Sequence, residues 1–213
     1  QEFGVAVIGG DIVTAPLIVI TVALTGRGPG SRRLLRRSSA RVGEVIAITG
    51  HLGASAGGLR MLQEGLTLPA VAADQLRQAH LRPQPRLAEG QALVKAGVRA
   101  AIDLSDGLVA DLAKLCQQSR VAARLWSWLL PIHPALVPTF GPEAVRLALE
   151  GGEDYELLFT TAQAAFLELT TELATPLTVI GEVVAGPPGE VVVLDEQGQP
   201  MVLGRGGWDH LAP

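Results

Sequence analysis

The sequence predicts an α/β fold of the α+β kind, a mixed sheet flanked by helices. Two observations predict it. Short Ile/Val-rich runs alternate with longer stretches of helical period. Hydrophobic residues make up 48% of 213 residues, enough for one sizeable core or for one domain plus a fragment of another.

In chain order, residues 5–8 (VAVI) read as a short buried strand ending at Gly9-Gly10-Asp11, and residues 17–24 (LIVITVAL) as a second strand. The stretch from Gly26 to Ser31 is flexible loop chemistry and marks a domain boundary. Residues 45–49 form a third strand, which runs through Gly50-His51-Leu52-Gly53 into a helix over 54–64. The span 72–96 reads as two helices broken at Pro83 and Pro85. A strand at 100–103 precedes a helix over 107–118, whose apolar face carries Leu108, Leu112 and Leu115. A proline-rich loop over 131–142 leads to a helix ending near Glu150. Strands follow at 155–160, 178–183, 191–194 and 201–203, with one helix between the first two.

The formal charge of −4 argues against a nucleic-acid partner, which selects a basic face. Cys116 is the only cysteine, so neither an intrachain disulfide nor a cysteine-rich metal site is possible, and a reducing, cytoplasmic setting is expected. The longest apolar run, residues 17–24, is far too short to span a bilayer, and the N-terminus lacks the basic region of a signal peptide.

Three segments concentrate groups that can do chemistry. In Ala101-Ile102-Asp103-Leu104-Ser105-Asp106-Gly107 an apolar strand stops, and two carboxylates and a hydroxyl emerge before a helix. Hard cations such as Mg²⁺ take oxygen ligands of this kind, and a helix N-terminus favours phosphate. The plainer reading makes Ser105 or Asp106 an N-cap, although a cap does not need Asp103 as well. In Gly151-Gly152-Glu153-Asp154-Tyr155-Glu156-Leu157 an acidic cluster enters a strand behind two permissive glycines, and a solvated turn is the alternative. Gly9-Gly10-Asp11 again sets a carboxylate at a strand end.

Arg32, Arg33, Arg36, Arg37 and Arg41 form a basic run, either a solvated face or a phosphate clamp. Trp208, in Gly206-Gly207-Trp208-Asp209-His210, is an aromatic that could plug a core or stack on a cation. No G-x-x-x-x-G-K-[ST] loop is present, so the glycines of 50–58 read as packing residues. The four histidines have no metal-ligand spacing.

The order of these motifs carries more than any one of them. The series GGD, RRSSARVGEVIAITGHLGASAGGL, HLRPQPRLAEGQAL, AIDLSDGLVADL, LEGGEDYELLFT and GGWDHLAP resembles the thiamine-monophosphate kinase family, of the aminoimidazole ribonucleotide synthetase-like superfamily, over essentially the whole chain. The resemblance implies that residues 1–30 hold the last two strands of a truncated N-terminal domain, and 31–213 the C-terminal α/β domain. It implies Asp11, Asp103 and Asp106 as Mg²⁺ ligands, Arg37 and Ser105 as ATP contacts, and Glu153 and Trp208 as contacts to thiamine monophosphate. It implies direct in-line transfer of the ATP γ-phosphoryl, no nucleic-acid or membrane partner, and a homodimer for the full-length enzyme.

Three departures stand out. Ile12-Val13 replace the family's usual Thr-Thr after GGD, and Ser39 and Val42 stand where glycine and proline are usual. The family also has an upstream region, about one domain in size, that carries further acidic ligands. The chain by itself is therefore expected not to turn over. Rival readings are another ATP-using enzyme of the superfamily, or a non-catalytic folded module.

Overall fold

A computed structural model describes residues 3–26, 28 and 34–204. Its centre is a six-stranded sheet built from β1 (Val45–Thr49), β2 (Ala100–Asp103), β3 (Ala122–Trp126), β4 (Leu157–Thr161), β5 (Leu177–Val184) and β6 (Val191–Leu194). The strand order is β2-β4-β1-β5-β3-β6. Every pairing is antiparallel except β3 with β6, so the sheet is mixed, as expected.

Strand periodicity explains why both faces are covered. Side chains alternate across a strand, and Ile46 and Ile48 enter one core while Ala47 between them enters the other. Ile102 and Leu158 likewise share the first core, and their neighbours Ala101 and Phe159 the second. The first face is closed by α4 (Leu108–Ser119), through the Leu108, Leu112 and Leu115 stripe, and by α6 (Glu143–Glu150). The second is closed by α3 (Leu87–Lys95) and α7 (Gln163–Glu172), through Leu93, Phe166 and Leu169. Each of these leucines is removed from water, and a fully buried Leu contributes about 1.5–3 kcal/mol.

A satellite core lies beside the sheet, where α1 (Ala54–Glu64), α2 (Ala70–Leu81) and α5 (Val137–Phe140) gather Ala54, Leu76, Leu136 and Phe140. The 50–58 glycines do serve packing here, since a side chain on Gly58 would meet the Leu76 carbonyl of α2 at 2.1 Å.

Several expectations are corrected. The strands expected at residues 5–8 and 17–24 are not formed: both segments lack ladder hydrogen bonds, and Val7 and Ile8 are each 95% exposed. Their Ile/Val content supplies β-propensity only, and a strand needs a neighbouring backbone. Residues 201–203 form no strand; Met201 N–H donates to the Val193 carbonyl, and Pro200 bridges Leu194. β4 begins at Leu157, which leaves Tyr155 and Glu156 in the turn before it. The proline-rich loop contains α5, with Pro138 in its first turn, where the missing N–H costs nothing. β3 was not foreseen, because Ala-Ala-Arg-Leu-Trp lacks β-branched residues.

Candidate functional site

The two acidic motifs, some fifty positions apart, form one structural unit. β2 and β4 pair with Asp103 opposite Leu157, and the chain segments beyond them continue the contact. Leu104 N–H donates to the Glu156 carbonyl at 2.9 Å, Tyr155 N–H to the Leu104 carbonyl at 2.9 Å, and Glu153 N–H to the Ser105 carbonyl at 2.9 Å. Glycine makes this approach possible. A side chain on Gly152 would meet the Ser105 carbonyl at 2.5 Å, and one on Gly107, whose φ is +113°, would meet the Glu150 carbonyl at 2.8 Å.

Asp103, Ser105, Asp106 and Glu153 are thereby brought to one end of the sheet. Tyr155 reports the convergence. Its hydroxyl is pushed to higher pKa by burial first, and then by the carboxylates of Glu153, Asp103 and Asp106. Glu153 also lies 3.9 Å from Nδ1 of His80, which in turn lies 3.1 Å from the Ser55 hydroxyl.

Neither Ser105 nor Asp106 caps α4; its N-cap position is Gly107, without a side-chain bond. The buried Asp111 instead serves two amides of the loop that leads into α4. Its Oδ2 accepts from Ser105 N–H at 2.9 Å and Asp106 N–H at 2.8 Å. Lys114 donates 2.8 Å to Asp111 Oδ1 and also bonds Asp106. Burial acts to lower the Lys114 pKa, but the bonds to the two carboxylates outweigh it, and the net shift is upward. Sequence reading missed both Asp111 and Lys114; the signal was their helical spacing of three on α4, the helix that follows Asp106.

Lys114 connects this carboxylate end to a groove of about 770 Å³, lined by Arg36, Arg37, Ser38, Lys114, Gln117 and Gly189. Arg37 thus lies in a basic groove shared with the cation that holds Asp106. The neighbouring Arg36 is fixed by its backbone, which bridges Ala100 at the β2 end through Arg36 N–H to the Arg99 carbonyl at 2.8 Å.

On the other side of the acidic turn lies a recess of about 890 Å³, lined by His51, Arg82, Arg86, His133, Asp154 and Glu156 among others. Glu156 is buried and accepts both Nε of Arg86 at 2.6 Å and its NH2 at 2.5 Å, together with the Thr49 hydroxyl at 2.6 Å. Asp154 accepts the N–H groups of Gly53 at 2.6 Å and Ser55 at 3.2 Å, at the start of α1. Burial pushes its pKa up to about 7, with Glu156 adding to the rise and the two N–H bonds opposing it.

Asp11 is not joined to this cluster. It lies in the exposed N-terminal segment, where its Oδ1 accepts the neighbouring Ile12 N–H at 2.9 Å. Among the described residues, no three His, Cys, Asp or Glu side chains are grouped so as to hold a metal ion. Trp208, Arg32 and Arg33 lie outside the described residues. Among the described residues no helix is long and apolar enough to cross a membrane.

A mixed sheet whose acidic strand end adjoins a basic groove defines a class, and comparison with known proteins agrees: the chain belongs to the AIR synthase related protein family, whose C-terminal domain matches residues 41–194. Within that class it is similar to thiamine-monophosphate kinases. That of Escherichia coli (strain K12) is 41% identical over 215 aligned residues, covering 99% of this chain and 65% of the relative. The chain thus spans about two thirds of the length of the relatives it matches. Among solved structures, thiamine-monophosphate kinase from Stenotrophomonas maltophilia K279a superposes with a TM-score of 0.71 at 38% identity, over 81% of this chain and 55% of that one. AaThiL complexed with AMPPCP and TMP gives 0.71 at 33% identity, over 83% and 54%.

Proposed function

We propose that this chain supplies the C-terminal part of an ATP:thiamine-phosphate phosphotransferase, in which an oxygen of the thiamine monophosphate phosphate attacks the ATP γ-phosphorus in line. The new P–O bond forms as the bond to the β-phosphate oxygen breaks, and ADP leaves. The observation that carries this reading is the juxtaposition of Asp103, Asp106 and Glu153 with a groove lined by Arg36, Arg37 and Lys114. The similarity to AaThiL, complexed with AMPPCP and TMP, supports it.

Phosphoryl transfer needs positioning and charge neutralisation more than covalent help. Arg37 binds the ATP phosphates through its planar fork, and Ser105 gives a second contact to the nucleotide. Glu153 and Trp208 hold the cationic thiazolium end of the other substrate. Asp103 and Asp106 would hold Mg²⁺, with Asp11 as a further ligand; two carboxylates at one strand end suit a hard cation, but the described residues offer only part of a full ligand set. Mg²⁺, when bound, supplies neutralisation of the polyphosphate charge. Lys114 already neutralises Asp106, and in this reading the same ammonium borders the phosphates in the groove.

We further infer that residues 1–30 belong to a separate N-terminal domain from residues 31–213, since their described part makes no ladder with the sheet and is exposed. On this reading the 213 residues alone do not turn over, the complete enzyme is a cytoplasmic homodimer, and the buried Cys116, pushed up to about 12 by burial, is an inert thiol.

The test joins the chain to the remaining third of the Escherichia coli relative and assays ADP release with Mg²⁺, ATP and thiamine monophosphate. Turnover is expected in the joined enzyme. Asp103→Asn or Asp106→Asn should lower its kcat by at least about a hundredfold with little change in melting temperature, because an amide ligates a hard cation poorly. Unfolding of either variant without loss of specific activity in the folded fraction would make them structural residues instead.

A further inference from the structure

We propose that Asp154 is a positioning residue, a clamp that fixes the 153–155 turn onto the start of α1 and so sets the direction of Glu153 and Tyr155. The argument begins with the backbone. Glu153 and Tyr155, the residues on either side of Asp154, both have positive φ, at 64° and 50°. Neither is glycine, and each such residue costs on the order of 1 kcal/mol or more. Two costly conformations so close together persist only where surrounding structure holds them.

Three attachments hold this turn. On one side, Glu153 and Tyr155 N–H groups reach the Ser105 and Leu104 carbonyls. At its end, Glu156 is anchored by Arg86 and Thr49. Between them, the Asp154 carboxylate uses each of its two oxygens on a different α1 amide, Gly53 N–H and Ser55 N–H. These amides belong to the helix start, where N–H groups lack partners within the helix and an anion is favoured. The clamp therefore joins a turn that bears a proposed substrate contact to a helix packed in the satellite core.

Asp154 has no need to touch a substrate to matter. Releasing it would let residues 153–155 relax toward ordinary φ, moving Glu153 away from His80 and Tyr155 away from Asp103 and Asp106. The statement about Glu153 rests on the proposed kinase function, whereas the clamp itself does not.

Tyr155 is the only tyrosine in the chain, so its ring is a single reporter of the turn. The 213-residue chain, labelled with ¹³C-tyrosine, is compared by NMR with D154A and D154N. We expect the Tyr155 ring resonances of D154A to move toward random-coil positions while core methyl resonances keep their dispersion. D154N retains one side-chain oxygen acceptor and should restore part of the native shift. If D154A does not fold, D154N decides alone: a displaced ring signal supports the clamp, and an unchanged one overturns it. Unchanged Tyr155 resonances in both folded variants also overturn it, as does a D154N displacement equal to that of D154A. In the joined enzyme, D154N should raise KM for thiamine monophosphate at least threefold more than KM for ATP. A displaced Tyr155 signal without that split would leave the clamp standing and remove Glu153 from the substrate site.

Discussion

The ammonium of Lys114 lies 2.8 Å from the Asp111 carboxylate, whose other oxygen accepts the N–H groups of Ser105 and Asp106. This pair organises the start of α4 and the loop that carries the candidate ligands. Asp111 is 1% exposed, so its removal leaves two backbone donors without their acceptor. Asp111→Ala should therefore destabilise the chain by about 3 kcal/mol, read from urea unfolding. Lys114 is far more exposed, and without it Asp111 still accepts two backbone N–H groups, so Lys114→Ala should cost less than Asp111→Ala, about 1–2 kcal/mol. Equal losses from the two variants would mean that Asp111 acts only through its ion pair.

Arg86 and Arg124 make a second contrast. The Arg86–Glu156 pair is largely withdrawn from water, with side-chain exposures of 26% and 7%, while Arg124–Glu182 has 47% and 39%. The Arg86 pKa is raised chiefly by its hydrogen bonds to Glu156. Arg86→Ala strands a buried carboxylate and should cost about 3 kcal/mol or more. Arg124→Ala should cost under about 1 kcal/mol. Unfolding free energies of both variants check the ranking, and a reversed order would refute the assigned burial.

Arg37 and Trp208 separate the proposed subsites. In the joined enzyme, Arg37→Ala should raise KM for ATP about tenfold or more, as a charge-assisted phosphate contact is lost. Trp208→Ala should act instead on thiamine monophosphate, as a stacking face is lost. Initial-rate kinetics with each substrate varied in turn decide it; matching effects of both variants on both substrates would dissolve the two-subsite picture.

Asp154 should make stability depend on pH. Its folded pKa of about 7 lies above the ordinary carboxylate value near 4. Between those values the native state binds the proton more readily than the unfolded chain. Stability from this group is thus fully present below about pH 4, falls as pH rises toward about 7, and is flat beyond, with a limiting slope of about 1.4 kcal/mol per pH unit. His51, His133, Arg82, Arg86 and Glu156 face the same recess, so the informative quantity is a difference between parent and variant. The Asp154→Asn chain should lack the decline that the parent shows in urea unfolding between pH 4.5 and 7.5. Parallel curves would place the Asp154 pKa near its ordinary value.

What sequence alone determined follows local rules. The helices over 54–64, 70–81, 87–95 and 108–119 were legible because apolar residues recur at helical spacing and prolines break the run at Pro83 and Pro85. Asp103, Ser105 and Asp106 were legible as chemistry because two carboxylates and a hydroxyl emerge where an apolar strand stops, and Glu153 because an acidic cluster enters a strand behind two glycines. Tertiary structure alone decided which of these meet. Residues 103–107 join 151–156 only because β2 pairs with β4, and that ladder appears in neither segment's own pattern. It also decided that residues 5–8 and 17–24 make no strand among the described residues, since pairing needs a neighbour that propensity cannot supply. Asp111 and Asp154 illustrate the same divide. Each reads in sequence as an ordinary acid on a helix or in a turn, and each became a structural anchor only when folding set it against backbone N–H groups, which require an acceptor.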